Sequence, residues 1–202
     1  MKHGMRNNTT ILKIDIGIDG LNLSESSNLQ AWPILARCED LLDNSPFCVG
    51  IFCGYSKPNP LEEYLADFKK EVLSLIETGF TVKGLHFDVC ISKYILDAPA
   101  RAYIKFIVGH TGYFSCERCT CEGEYDGDKV VFETYKCAPR SDESFRAQTD
   151  ENHHNGVSPL VDLPTNFIDD FVYDPLHLLF HGVGKRFLRF LTSVCRTGAR
   201  QC

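Results

Sequence analysis

The sequence predicts a layered α/β (α+β) domain, and three observations predict it. Residues 11–18 alternate apolar and polar side chains, residues 61–76 carry an apolar stripe at helical spacing, and further apolar runs flank that stripe. Strands, helix, strand, helix is the order of a sheet covered by helices. At 202 residues, with 44% hydrophobic and 24% charged side chains, the chain is long enough for one domain with a sizeable core.

In the first strand Leu12, Ile14, Ile16 and Ile18 face one way, and Lys13, Asp15 and Gly17 the other. Asp19-Gly20 closes it with turn chemistry. Strands follow over residues 32–36 and 48–55, and the second, nearly all apolar, reads as buried on both faces. Lys57-Pro-Asn-Pro60 ends that run. A helix then starts with Asn59 as N-cap, Pro60 at its first position and Glu62 in the capping-box position. Leu61, Tyr64, Leu65, Phe68, Val72, Leu75 and Ile76 form its apolar stripe, and Gly79 stops it. Residues 81–90 and 92–96 read as strand, and 99–108 as a helix starting at or just after Asp97. These elements make residues 11–108 the first part of the core, preceded by a flexible N-terminus over 1–10.

Residues 109–165 are rich in Cys, His, Asp, Glu and Gly and weakly periodic, apart from a strand over 129–134. They are too long for a simple connection and read as a Cys/His-containing insertion. Residues 166–194 return to the core. There Leu176, Leu179, Phe180, Val183, Phe187, Phe190 and Leu191 mark one helix face, weakened by Gly182 and Gly184. Residues 195–202 lack periodicity and read as a ragged C-terminus.

The net charge of −6 hides an asymmetry: residues 182–202 hold five basic side chains and no acid, leaving −11 on residues 1–181. An acidic body argues against broad nucleic-acid binding by charge alone, while leaving room for a local DNA track. The apolar run at 11–18 is interrupted by Lys13 and Asp15, so it is neither a signal peptide nor a membrane span. Ten cysteines with no export signal read as reduced thiols in the cytosol or nucleus.

Two constellations could carry chemistry. Cys116-x2-Cys119 lets two thiolates reach one tetrahedral zinc ion, and His177 and His181, four apart on a helix, can supply two imidazoles from one face. Cys121 is an alternative thiolate, with Cys137, His110, His153 and His154 as weaker candidates. The same CxxC also fits a redox pair. The second constellation is acidic. Asp19 and Asp97 end two strands, with Asp15 on the side of Asp19, and such a pair can hold Mg²⁺ or Mn²⁺ for phosphodiester chemistry. Each aspartate also has a purely structural reading, Asp19 in a turn and Asp97 as a helix N-cap. Asp174, three residues before His177, reads as a cap or as an acid orienting that imidazole. Arg101 could meet phosphate or pair with a carboxylate, and Trp32 is a core anchor.

Seven segments in register carry a resemblance: Ile18-Asp-Gly-Leu-Asn-Leu23, Ser26-Ser-Asn28, Gln30-Ala-Trp-Pro-Ile34, Asp97-Ala-Pro-Ala-Arg101, Gly109-His-Thr-Gly-Tyr113, Cys116-x2-Cys119 and Leu176-His177 with Gly182-Val183. Together they resemble the CACTA (En/Spm-like) group of cut-and-paste DNA transposases, from about residue 11 to about residue 191. The resemblance implies a partial RNase H-like core with a DDE acid set, interrupted by a cysteine/histidine insertion. Asp19 would be its first acid and Asp97 its second, both on catalytic Mg²⁺ or Mn²⁺. Zinc would be structural, on Cys116, Cys119, His177 and His181. The third acid, a glutamate on a later helix, is expected beyond residue 202, so little or no strand cleavage is expected of this chain. Phe180 stands where the family commonly has cysteine, and His181 where it has an apolar residue, which leaves His177 the better ligand. The implied partners are transposon-end DNA and intact transposase subunits in the nucleus, with no membrane and no small-molecule substrate. The alternative reading is a domesticated, zinc-stabilised module that binds DNA or protein without catalysis.

Overall fold

A computed structural model describes residues 5, 9–127, 129–132 and 136–198, with side chains to residue 192 in the last helix. It has two compact units, residues 1–172 and 173–202. The expectations for residues 1–4, 6–8, 133–134 and 199–202 lie outside the described residues.

The first unit is built on a mixed sheet. β1 (Ile11–Ile18) pairs antiparallel with β3 (Gln30–Cys38), which pairs antiparallel with β4 (Phe47–Gly54). On its other side β1 pairs in parallel with β6 (Leu85–Leu96). The far edge of β6 carries the short strands β5 (Phe80–Val82) and β9 (Phe171–Tyr173). Parallel neighbours need a crossover, and α1 (Leu61–Thr78) supplies it. Its stripe works as the sequence predicts: Leu61, Leu65, Phe68 and Val72 are buried in one cluster with Ile16, Ile18, Trp32 and Ile34.

Several expectations are corrected. Pro60 takes the N-cap position with extended backbone and no side-chain cap, so neither Asn59 nor Glu62 caps the helix as expected. The Asn59–Pro60 peptide is cis. β4 is not buried on both faces; it pairs only with β3, and Phe47, Val49 and Ile51 are exposed along it. Residues 81–96 are not two consecutive strands but a hairpin, turned at Lys83 and Gly84, both with positive φ, into the twelve-residue β6. Asp19-Gly20 makes no turn either. β2 (Leu21–Asn22) resumes the pairing of β1 with β3 in unchanged register, Ile18 opposite Ile34 and Leu21 opposite Ala31. That register sets Asp19 opposite Pro33, which has no N–H, so the ladder opens there without the chain reversing.

α2 (Ala98–Lys105) begins as predicted, with Asp97 as N-cap accepting from the Ala100 N–H at 2.7 Å. The insertion contains a small hairpin, β7 (Glu124–Asp126) and β8 (Lys129–Val131), and a one-turn helix, α3 (Asp142–Arg146), closed by a Ser141–Ser144 capping box. Elsewhere it is tied by arginines to backbone carbonyls. Arg146 reaches Val161, Leu163 and Thr165, and Arg118 reaches Ile168 and Phe171.

The second unit is one continuous helical segment, a π-helical stretch (Leu176–Gly184) running into α4 (Lys185–Gly198). The helix thus extends past residue 194 into the part expected to be ragged. The glycines have a steric reason: a Cβ on Gly182 would lie 2.9 Å from the His177 carbonyl oxygen, and one on Gly184 equally close to that of Leu179. The i→i+5 winding brings those carbonyls against the backbone, and only glycine leaves room. Among the described residues no helix is long and apolar enough to cross a membrane.

β9 is held by ring stacking, Phe171 on Tyr94 at 4.5 Å and on Phe167 at 5.4 Å, with Phe171 1% exposed. Phe171→Ala should cost about 3–5 kcal/mol in urea unfolding. A cost below about 1 kcal/mol would mean that β9 contributes little to the packed sheet.

Candidate active site and cysteine insertion

Asp19 and Asp97 are the residues that directly follow β1 and β6. The parallel register runs Asp15–Lys93, Ile16–Tyr94, Gly17–Ile95, its last pair, and continued two residues further it would set Asp19 opposite Asp97. Side chains alternate along strands, so both aspartates stand on the face of Asp15 and Lys93, opposite Ile16, Ile18, Tyr94 and Leu96 in the core. Each carboxylate is half-buried and has one oxygen fixed by a local backbone N–H: Asp19 Oδ1 by Gly20 at 2.7 Å, Asp97 Oδ1 by Ala100 at 2.7 Å. Gly20 is required beside Asp19, because a Cβ there would meet the Trp32 indole at 2.6 Å. Trp32 is the buried anchor that the sequence predicts.

Asp15, four residues before Asp19, is buried and ion-paired to Arg37 through Oδ2. Its other oxygen is buried without a hydrogen-bond partner among the described residues. Asp15 therefore braces β1 against β3.

Arg101 pairs with a carboxylate, one of its two expected uses, but the pair is buried rather than at the surface. It is 4% exposed, donates to Glu117 at 2.6 Å, and also reaches the Leu96 carbonyl. Lys105, one turn on and 1% exposed, donates to the other Glu117 oxygen at 2.8 Å. Glu117 lies inside Cys116-x2-Cys119, so one carboxylate fastens the cysteine knuckle to α2. Burial alone would push the Glu117 carboxyl up, but the Lys105 and Arg101 charges outweigh it and hold it below the usual range. Burial pulls the Lys105 amine down, and Glu117 only partly restores it. Sequence reasoning missed this triad; the acid between the two cysteines was its only local signal.

In the knuckle the Cys116 and Cys119 sulfurs are 3.2 Å apart, and the backbone N–H of Cys121 donates to the Cys119 sulfur. Burial nevertheless raises the Cys119 thiol. Cys121 forms a disulfide with Cys137, which removes both as alternative thiolates and corrects the expectation that every thiol is reduced. Their segments run side by side, Thr120 N–H to the Ala138 carbonyl and Arg140 N–H to that of Arg118.

The expected histidine ligands lie in the second unit. His177 and His181 share a face, ring centres 5.9 Å apart, and His177 Nδ1 pairs with Asp174, which also caps the helical segment through the Leu176 N–H. His110 is exposed. His153 is fully buried, its Nδ1 2.6 Å from the Phe114 carbonyl oxygen. A carbonyl only accepts, so Nδ1 carries the proton and Nε2 a lone pair, with no partner among the described residues. Both ring nitrogens of the neighbouring His154 are likewise buried and without partners there. Among the described residues no group of three or more His, Cys, Asp or Glu side chains is placed to hold one metal ion.

Two measurements test these buried charges. Glu117→Gln removes the carboxylate between two buried cations and should cost about 3–5 kcal/mol in urea unfolding; a loss near zero would mean that the triad is solvated. Burial pushes the His153 imidazole down to about 4. The unfolded chain takes up its proton near pH 6.5 and the folded chain does not. Stability should therefore fall as pH drops from about 6.5 to about 4, and urea midpoints in His153→Gln should lose part of that slope. An unchanged slope would place His153 in water. No family model, characterised protein or solved structure matches this chain.

Proposed function

We propose that this chain is a fragment or relic of a cut-and-paste DNA transposase with an RNase H-like core. Asp19 and Asp97 would be the first two acids of its catalytic set. The observation that carries the reading is their placement at matched positions after adjacent parallel strands. The strand arrangement β4-β3-β1-β6-β9, with α1 crossing between β4 and β6, supports the same reading. Two hard carboxylate donors fit Mg²⁺ or Mn²⁺, which when bound would activate water and stabilise the leaving oxygen of a phosphodiester. The protein's own part is to fix the carboxylates in advance: backbone N–H groups orient both, Asp15–Arg37 braces β1, and the indole against Gly20 sets the chain beside Asp19. We assign no third acid, and a set of two would turn over slowly.

In the same reading Cys116 and Cys119 hold a structural zinc ion. Two sulfurs in a CxxC, one accepting a backbone N–H, are chemically suited to it. The domesticated binding module remains the second reading, favoured by the buried Glu117 triad, which makes the insertion a fixed part of the first unit.

Mn²⁺ titration of the full chain should show binding that Asp97→Asn weakens at least about tenfold, alongside nicking of supercoiled DNA at or near background. Equal Mn²⁺ binding in the variant would sink the assignment of Asp97, and efficient nicking abolished by it would overturn the low-turnover reading. Purified protein should retain about one zinc ion, lost in Cys119→Ser. Parallel loss in His153→Ala would add that imidazole of the first unit to the site, and metal-free wild type would leave the cysteines as a redox pair.

A further inference from the structure

We propose that the cavity beside Trp32 and Tyr103 is a nucleotide subsite, with Lys57 taking the phosphate and an apolar wall taking the base. It rests on the transposase reading only for the polymer being DNA. The cavity, about 440 Å³, is lined by Lys57, Pro60, Tyr103, Phe106, Val157 and Pro159 among others. Its one basic group is Lys57, whose ammonium lies 5.5 Å from the centre of the Trp32 ring and 5.2 Å from that of Tyr103. Lys57 is exposed and makes no ion pair among the described residues, whereas the acid on the rim, Glu62, is engaged by Lys69. The site is built rather than incidental. The Tyr103 hydroxyl donates to the Pro58 carbonyl, that of Tyr64 to the Trp32 carbonyl at 3.0 Å, and Trp32 meets Tyr103 edge-on at 5.4 Å.

Position supplies the rest of the argument. Trp32 packs against Gly20, next to Asp19, and Tyr103 lies on α2, which Asp97 caps. The cavity thus lies beside elements tied to those that carry the carboxylates: β3 continues its pairing past Asp19, and α2 begins at Asp97. A cation set in aromatic and apolar walls suits a nucleotide whose base has left its stack. Phe106 and Val157, both exposed in the cavity wall, offer the surface on which a base can lie. One lysine in an acidic body neutralises one phosphate, so the contact positions a strand rather than holding a duplex.

The test is binding of fluorescein-labelled oligothymidylate of about ten nucleotides to the full chain in EDTA. Anisotropy is the first readout, and emission from Trp32, the only tryptophan, is the second. Lys57→Ala should weaken binding about tenfold, and Val157→Glu, an exposed position where a carboxylate would close the wall, comparably. Lys57→Ala should also lower the slope of log K against log salt by about 0.7, one phosphate's worth. Working in EDTA keeps this result separate from any failure of metal chemistry, and Lys70→Ala, at an exposed lysine outside the cavity lining, should bind as wild type. Thymidine monophosphate should compete where inorganic phosphate at equal concentration does not. Binding unchanged in both cavity variants, no binding by wild type, or equal competition by phosphate would each overturn the subsite. Far-ultraviolet circular dichroism of each variant shows whether a lost signal reflects lost fold.

Discussion

The arrangement depends on the parallel pairing of β1 with β6. Antiparallel neighbours can be joined by a short turn, but a parallel pair must be bought with a crossover, and residues 55–84 are given to it, most of them in α1. What the pairing returns is a matched end: two strands running the same way expose their following residues side by side. Here both are aspartates. A carboxylate at a strand end is held by hydrogen-bond donors, and each of the two accepts a backbone N–H at 2.7 Å. The same backbone contact makes Asp97 an ordinary helix cap, so capping and ligation are compatible uses of one carboxylate with two oxygens.

The second constraint is the Glu117 triad. The cysteine-rich insertion of weak periodicity buries Phe145, Leu160 and Leu163 in the core, and it is held further by charge and by arginine-to-carbonyl bonds. Burying one anion and two cations costs more desolvation than it returns in attraction unless the geometry is good. At 2.6 and 2.8 Å, with Lys105 also 5.1 and 5.4 Å from the Phe145 and Phe171 ring centres, it is good. The reward is registry. Arg101 and Lys105 are one helical turn apart, so a single carboxylate can satisfy both only when the knuckle sits at one height along α2. That height also fixes the start of α2, and with it Asp97.

Strict alternation in residues 11–18 and the stripe of Leu61, Leu65, Phe68 and Val72 were legible because each buries one face on its own period. β4 was misjudged because composition cannot tell an edge strand from a central one when both are apolar. The turn expected at Asp19-Gly20 failed for a reason outside those two residues. Pro33, opposite Asp19, opens the ladder, and Trp32, opposite Gly20, demands the glycine. Arg101 could not be told from a surface cation until Glu117, sixteen residues on, came within reach. β9 was missed as well: three residues carry no period, and its place comes from rings that meet only in the folded chain.

The two cysteine pairs of the insertion show why spacing alone does not assign chemistry. Cys119 and Cys121 are two residues apart, a spacing that on a regular extended strand would put both side chains on one face. Yet Cys119 stands beside Cys116, and Cys121 is bonded to Cys137. The disulfide closes a short loop around the β7–β8 hairpin and needs no metal to do so. Cys116 and Cys119 remain thiols, linked by neither a disulfide nor a third protein ligand among the described residues. A pair left in that state, on a knuckle fixed by Glu117 and with a sulfur already accepting a backbone N–H, is pre-ordered at an entropic cost that folding has met. An ion binding there would gain from that order, and an oxidant would have to close only the remaining gap between sulfurs. The disulfide occupies Cys121 and Cys137, and Cys116 and Cys119 are left as free thiols with sulfurs 3.2 Å apart.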